Sequence, residues 1–506
     1  MLVRAFLLLA LTALVCLPTW SLPDWDGTEG RRVQIALEMA RSGDWMVPTL
    51  GGQATWAKPP LHYWLLATCE SWLGHSPWAM RLPSVLGAFF AALLAGELLR
   101  RWFGARAGWV GALGVACSPL VISEWPTAEI DPLFATLTAT SLWCLATGVA
   151  RDRLLLVGAA GALGGLAILQ KGPPYFLFAI GAYLVWWRHR RLRHASVHFA
   201  ALLAVALAYY GPLWGLRVSA SEMLTVVSEE SLGRLTLLDW SHARWIPEFW
   251  LRAVLVQMPF MLWCFWEWRG ARDARMDAGD LTLRMCSGAA VLAIVLLTFF
   301  PGRPTRYVLP NVLLFTFAVA PAVAHFCTHP GQVPPLARRL IRLAGVSGVI
   351  GLLVLPFVPS VGIGAVGFAA AVAVSPLLVR TPLHVVIFVL AVPVVGAWTL
   401  GLDRARAWND GPRARVHGGR LLQRELNLLG VTPATLQTVG HVDSALLLRG
   451  EVLPPGDESE RNPWRQQWVL REHADGSATP SNYVVRLRLN MPFKSFVLFE
   501  RQGAPR

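Results

Sequence analysis

The chain has 506 residues, of which 55% are hydrophobic and 15% charged, against about 25% charged in a soluble domain. Its mean hydropathy is +0.47, which excludes disordered and fibrous classes and a simple water-soluble enzyme. The net charge of +14 is no nucleic-acid footprint, because the arginines sit in short clusters between apolar runs, as insertion signals do.

These features define an α-helical polytopic membrane protein. Residues 1–22 hold one arginine, Arg4, and then an apolar stretch. With many runs behind it, that stretch reads as a first transmembrane helix in preference to a cleaved signal peptide. Further runs of spanning length fall at 78–99, 107–121, 132–150, 154–169, 173–187, 199–216, 249–266, 286–300, 307–326, 343–358, 362–378 and 383–400, giving about thirteen spans in all. Arginines gather in alternate loops: Arg100, Arg101 and Arg106; Arg151 and Arg153; Arg188 to Arg193; Arg269 to Arg275; Arg338 to Arg342. The positive-inside rule assigns those loops and the N-terminus to the cytoplasm, and an odd span count sends the C-terminus to the other side.

The long outer loops are then 23–77 and 218–248, within a membrane domain of residues 1–401. After residue 401 the composition turns to Asp, Glu, Arg, Asn and Gln. Residues 402–506 read as a small α/β domain on the outer side, with a helix at Gly418–Leu429 and strands at Ser444–Leu448, Trp468–Leu470 and Tyr483–Leu489.

Chemistry-bearing residues collect on the outer face. Asp26 and Glu29 have capping-box spacing before a helix with Val33, Leu37 and Ala40 on one stripe, an amphipathic helix suited to the membrane surface. Lys58-Pro-Pro-Leu-His-Tyr-Trp opens a second interfacial helix, and Lys58 is suited either to snorkelling or to a lipid phosphate. Asp131-Pro132 has the pattern of an N-cap followed by Pro at the first helical position, but Glu124 and Glu129 add more acid than a cap requires. Lys171-Gly172-Pro173 reads as a turn between two spans that sets an ammonium at headgroup level. Arg234, Arg244, Arg303 and Arg306 add guanidinium groups suited to bidentate phosphate binding. His62, His75 and His242 are scattered and read as solvated or interfacial. The middles of the spans hold almost no ionisable residues, unlike a transporter, which favours interfacial chemistry on a lipid-linked substrate. The seven cysteines form no CxxC pair or zinc spacing.

The ordered set Glu29-Gly-Arg-Arg, Ser42-Gly-Asp-Trp, Pro48, Lys58-Pro-Pro-Leu-His-Tyr-Trp, Ala128-Glu-Ile-Asp131-Pro, Lys171-Gly-Pro, Glu230-Ser-Leu-Gly-Arg234 and Tyr307-Val-Leu-Pro310 resembles glycosyltransferase family 39. That family has the GT-C fold and contains protein O-mannosyltransferases and the lipid A aminoarabinose transferases of bacteria. The resemblance implies an enzyme that transfers a sugar, with inversion, from a polyprenyl-phosphate donor to lipid A, another glycan or a protein at the periplasmic face of the inner membrane.

By that resemblance Lys58, Arg234 and Tyr307 hold the donor phosphate, with Lys171 a further candidate; Glu29 and Asp131 are the acids suited to take the acceptor proton, and Asp26, two residues before the departure at Thr28, is the candidate to substitute for the missing acid. Arg31, Glu129, Glu230 and Arg306 support them. A divalent metal is left open, and no nucleotide is required. Two positions depart from the family: Thr28 stands where an Asp usually precedes the Glu, and Ala57 where a Glu often precedes Lys-Pro. The competing expectation is a non-catalytic protein such as a lipid-linked sugar flippase.

Overall fold

In a computed structural model the chain is mostly helical. The structure describes residues 2–20, 28–50, 52–56, 58–74, 76–116, 118–187, 192–216, 278–298 and 305–328, single positions between 346 and 431, and 436–439, 468–472, 483–490 and 495–502. The chain divides into two compact units: Met1–Trp20, Ala57–His62 and Arg81–Leu400 form one, and Ser21–Trp56, Tyr63–Met80 and Gly401–Arg506 the other.

The helices in chain order are α1 (Leu2–Trp20), α2 (Glu29–Ser42), α3 (Leu61–Leu73), α4 (Pro77–Ala116), α5 (Pro119–Glu124), α6 (Ile130–Ala150), α7 (Leu154–Lys171), α8 (Pro174–Trp187), α9 (Leu192–Leu216), α10 (Ala278–Leu297) and α11 (Leu309–Thr328). Each apolar run expected within the described residues is helical; the runs at 249–266, 362–378 and 383–400 lie outside them, and of 343–358 only positions 346 and 349 are described. Among the described residues four helices, α4, α6, α7 and the Leu192–Leu213 part of α9, are long and apolar enough to cross a membrane.

The expected loop between the runs at 78–99 and 107–121 shrinks to a kink at Gly104, whose φ of 87° breaks the helix without a longer connection. The second run also ends early, at Ala116. Ser118 is extended (φ −64°, ψ 132°) and Pro119 starts α5, because the residue before a proline is driven out of the helical region.

In the first unit α6 is central. Almost all of it is buried, and it packs on α7, α10 and α11, while α7 meets α9 and α8 meets α10. Trp143 stacks on Phe317 with centroids 5.2 Å apart, and Phe134 meets Phe178 edge-on at 6.0 Å. Lipid offers no hydrophobic drive between helices, so small residues and buried hydroxyls hold them together. Ser141 Oγ donates to the Ala160 carbonyl at 2.7 Å across α6 and α7 and lies 2.9 Å from the Tyr175 hydroxyl. Gly161 lets α7 touch α9: a β-carbon there would lie 2.1 Å from the His198 carbonyl oxygen. On the outside, Leu203 and Leu207 of α9 remain exposed, as a lipid-facing stripe requires.

The second unit contains α2, ended by Gly43 in the left-handed region, and the Ser42-Gly43-Asp44-Trp45 turn behind it. Asp44 Oδ1 accepts from the Met46 and Val47 amides at 2.9 and 3.2 Å. A short hairpin follows, with β1 (Thr49–Leu50) antiparallel to β2 (Gln53–Ala54). Farther along, β3 (Leu436–Val439), β4 (Trp468–Glu472), β5 (Tyr483–Asn490) and β6 (Ser495–Arg501) form a sheet in the order β3-β4-β6-β5, parallel only between β3 and β4. β4 and β5 match the expected strands, whereas β3 and β6 were not expected, and Ser444–Leu448 lies outside the described residues.

Gly161→Ala is expected to lower the thermal midpoint of the detergent-solubilised protein sharply, because a backbone carbonyl cannot move aside as a side chain can. Gly158→Ala, on the same helix, meets only Val197 at 3.5 Å and should leave the midpoint unchanged or raise it.

Candidate active site

Three chain segments of the first unit deliver charge to one place. The turn before α6 brings Glu129 and Asp131, both buried. Glu129 holds the N-cap position with extended backbone (φ −82°, ψ 156°) and makes no side-chain cap bond. Asp131 is therefore not the N-cap that its Asp-Pro pattern suggested. It is the second helical residue, two positions past the cap, where the positive end of the helix still favours a carboxylate.

The second segment is the end of α7. Lys171 is its last residue, and Gly172 follows with φ 89°, which turns the chain into α8. The Lys171 ammonium pairs with Asp131 Oδ1. It also sits 4.2 Å over the Tyr307 ring and 5.2 Å over the Phe134 ring. A cation at a helix C-terminus faces an anion at a helix N-terminus, so both dipoles favour the pair.

The third segment is the 3-10 turn Thr305–Val308 that leads into α11 and carries Arg306 and Tyr307. Arg306 Nη1 lies 3.5 Å from Glu129 Oε1, and its Nε 3.4 Å from Asp131 Oδ2. At an effective dielectric of about 20, each such approach is worth roughly 4 kcal/mol of attraction before desolvation. The distances are those of ion pairs without a short hydrogen bond, and the buried Nε has no hydrogen-bond partner. Arg306 thus keeps donor capacity for an anion.

Lys58 is partly buried in the same unit. Its neighbour Pro59 abuts the Lys171–Gly172 turn, with Pro59 Cγ 3.9 Å from where a β-carbon on Gly172 would lie. His62, four residues on, is fully buried and not solvated or interfacial as its position in the sequence suggested. Its Nε2 lies 2.7 Å from the Ala128 carbonyl, and its Nδ1 3.0 Å from Gln170 Nε2, which also donates to the Ile130 carbonyl at 3.2 Å. Nothing in the sequence distinguishes Gln170 from a lipid-adjacent polar residue except that it precedes Lys171. Arg81, another residue unremarked in the sequence, is buried and donates to the Trp20 carbonyl at 3.3 Å.

Glu29 and Arg31 belong to the second unit. Glu29, expected on the polar side of α2, is fully buried beside Gly30 and Val33, and Arg31 is exposed. The N-cap of α2 is Thr28, so Glu29 is the first helical residue and not the third, as the capping-box reading required. Asp26, Glu230 and Arg234 lie outside the described residues. Among the described residues no group of three or more His, Cys, Asp or Glu side chains is placed to hold a metal ion.

The fold is of the GT-C type, the class of the membrane glycosyltransferases, and it sets a cluster of charge at one end of a bundle of membrane-length helices. Residues 57–214 match the family described as dolichyl-phosphate-mannose-protein mannosyltransferase. The fold is similar to the crystal structure of ArnT from Cupriavidus metallidurans bound to undecaprenyl phosphate, with a TM-score of 0.71, 19% identity and 97% of each chain covered. Among curated proteins, the undecaprenyl phosphate-alpha-4-amino-4-deoxy-L-arabinose arabinosyl transferase of Pseudomonas savastanoi pv. phaseolicola is 27% identical over 79% of this chain and 72% of its own. The second such transferase of Pseudomonas fluorescens is 30% identical over 69% of this chain, which spans 60% of that relative's length. The chain thus resembles glycosyltransferase family 39, and in particular its aminoarabinose transferases.

The ion cluster makes its own prediction. Removing one partner of a mostly buried pair costs about 3–5 kcal/mol, because the other charge stays behind. Lys171→Met and Asp131→Asn should each lower the thermal midpoint, and Lys171→Met combined with Asp131→Leu should recover part of the loss. Additive losses in the double variant would show that the two residues do not act as a pair.

Proposed function

We propose that the chain transfers a sugar of the 4-amino-4-deoxy-arabinose class from a polyprenyl phosphate to a lipid acceptor, at the periplasmic face of the inner membrane. The observation that carries this reading is the cluster of Asp131, Glu129, Lys171 and Arg306 at one end of α6 and α7, combined with likeness to transferases named for that donor. α6 has 21 residues, which at 1.5 Å per residue is about the thickness of the hydrocarbon core. The cluster and the arginine pair Arg151 and Arg153 therefore sit at opposite interfaces. With the arginines assigned inside, the cluster faces outward.

The chemistry follows from these groups. The acceptor oxygen bonds to the anomeric carbon as the bond from that carbon to the donor phosphate oxygen breaks. The acceptor proton passes to a carboxylate, and the leaving polyprenyl phosphate gains charge that cations must meet. Asp131 is the proposed base, acting through Oδ2, the oxygen that faces Arg306 without a short hydrogen bond. Arriving phosphate competes for the Arg306 guanidinium and leaves Oδ2 open to the acceptor. Lys171 stays on Oδ1 and keeps the carboxylate oriented. Lys58 and Arg234 are the further proposed phosphate cations, with Tyr307 beside them, and Glu29 is the second candidate carboxylate.

Transfer of labelled sugar from undecaprenyl phosphate by purified protein tests the reading, since a flippase would translocate the lipid and transfer nothing. Lys58→Ala and Arg306→Ala should weaken use of the donor by about ten- to a hundredfold, the worth of one charge-assisted hydrogen bond. Lys58→Arg should restore only part, because a planar fork does not reproduce a compact ammonium. Asp131→Asn should lower turnover by about 10²–10⁴-fold while undecaprenyl phosphate still binds. Full turnover in Asp131→Asn with a dead Glu29→Gln would move the base to the surface helix.

Orientation has a separate test. Reporter fusions after Ser76 and His194 should read periplasmic and cytoplasmic, and the reverse pattern would place the charge cluster on the wrong side for this reaction.

A further inference from the structure

His62 and Gln170 are wholly buried, uncharged in their hydrogen bonding, and remain unused by the chemistry above. Their bonding pattern has one consistent assignment. Gln170 Nε2 faces the Ile130 carbonyl at 3.2 Å, so the amide nitrogen and not the oxygen points that way. The same nitrogen faces His62 Nδ1 at 3.0 Å, so Nδ1 accepts. The imidazole proton is then on Nε2, which donates to the Ala128 carbonyl at 2.7 Å. One neutral tautomer satisfies all three contacts.

The two carbonyls flank Glu129. Ala128 precedes it and Ile130 follows it, and Asp131 comes next. The imidazole arrives four residues after Lys58, and the amide belongs to the residue before Lys171. A single chain of hydrogen bonds thus joins the Lys58 segment, the turn that carries both carboxylates and the end of α7.

Neither Glu129 nor Asp131 is held by a cap bond: no side chain caps α6. Thr127 Oγ1 donates to the Glu124 carbonyl at 2.6 Å and ties the start of the turn; the stretch that carries both carboxylates needs holding as well, since a carboxylate set to take a proton tolerates little displacement.

We propose that His62 and Gln170 form a positioning clamp that sets the backbone of the Ala128–Ile130 turn, and through it aims Glu129 and Asp131. The inference rests on the proposed transfer reaction, in which Asp131 takes the acceptor proton. Neither clamp residue touches a reacting atom; both act through the carbonyls on either side of Glu129. Loss of the clamp leaves every charge of the site in the chain but lets the turn drift, so turnover falls while phosphate binding does not.

The test uses the full-length protein in detergent, with sugar transfer, binding of undecaprenyl phosphate and hydrogen exchange of the 127–131 amides measured on each variant. His62→Ala and Gln170→Ala should each lower kcat by about ten- to a hundredfold, with undecaprenyl phosphate affinity within about threefold of the parent. Because the two residues form one unit, the double variant should be no slower than the slower single. His62→Gln places an amide donor where Nε2 stood and should recover most of the rate, which a merely space-filling role would not predict. Exchange at 127–131 should rise in His62→Ala and return in His62→Gln. The clamp is overturned if the losses of the two single variants multiply in the double, if phosphate affinity falls in step with kcat, or if exchange at 127–131 is unchanged. Hydrogen exchange does not depend on turnover. An intact exchange response in a chain that transfers no sugar would therefore overturn the transfer reading alone and leave the clamp standing.

Discussion

The pairing of Lys171 with Asp131 is the constraint on which the rest of the site depends. A lone carboxylate or ammonium at that depth would carry a desolvation penalty of several kcal/mol, so each requires the other. The pair joins the end of α7 to the start of α6, and the Gly172 turn is what allows Lys171 to be the last helical residue without running on into α8. Arg306 then completes a set of two cations and two carboxylates whose charges sum to zero. Tyr307, whose ring faces the Lys171 ammonium at 4.2 Å, closes one side without adding charge.

That neutrality matters because the helices offer no other compensation. α6 is buried over nearly its whole length by packing on α7, α10 and α11, with apolar side chains and rings such as Trp143 on Phe317 beside the small residues and hydroxyls. Such an interface has shape but little polarity, and Ser141 with Tyr175 is one of its few polar contacts. Charge is thereby confined to the helix ends. The same confinement separates the site from the arginine turns at Arg151 and Arg153, one helix length away.

Much of this was legible in the sequence, for definite reasons. Apolar runs of spanning length became helices wherever the structure describes them, because a chain in lipid must satisfy its backbone internally. Asp131, Lys171, Arg306 and Tyr307 were all singled out as outer-face groups, and the fold gathers them. The partners were not legible. Arg306 was expected to support the site only in a general way, and nothing in the residue order revealed that it lies between Glu129 and Asp131. Helix phase also misled: Glu29 was assigned to the polar side of α2 from a three-residue apolar stripe, whereas the buried side takes in Glu29 and Gln34 as well. His62 was read as solvated or interfacial because it stood apart from the other histidines, His75 and His242, in the sequence. Its burial depends on Gln170, 108 residues away, a distance over which no local pattern speaks. β6 was missed because Ser-Phe-Val-Leu-Phe-Glu-Arg lacks the alternation by which a half-exposed strand is recognised.

The charge balance of the cluster bears on the proposed reaction. A sugar phosphodiester brings about one negative charge into a cluster that is already neutral, and the departing polyprenyl phosphate carries closer to two. Phosphate has to displace a carboxylate from Arg306 in order to bind there, so cations outside the set of four add to the binding energy that appears as the phosphate departs. Lys58, whose segment packs against the Lys171–Gly172 turn, is proposed as one such cation, and Arg234 as another. On the carboxylate side, Thr28 keeps the start of α2 at Glu29 within the second unit, while in the first unit the carboxylates that meet Lys171 and Arg306 are Glu129 and Asp131. Of these two, Asp131 faces both cations, Lys171 through Oδ1 and Arg306 through Oδ2, and for that reason it is the carboxylate proposed as the base.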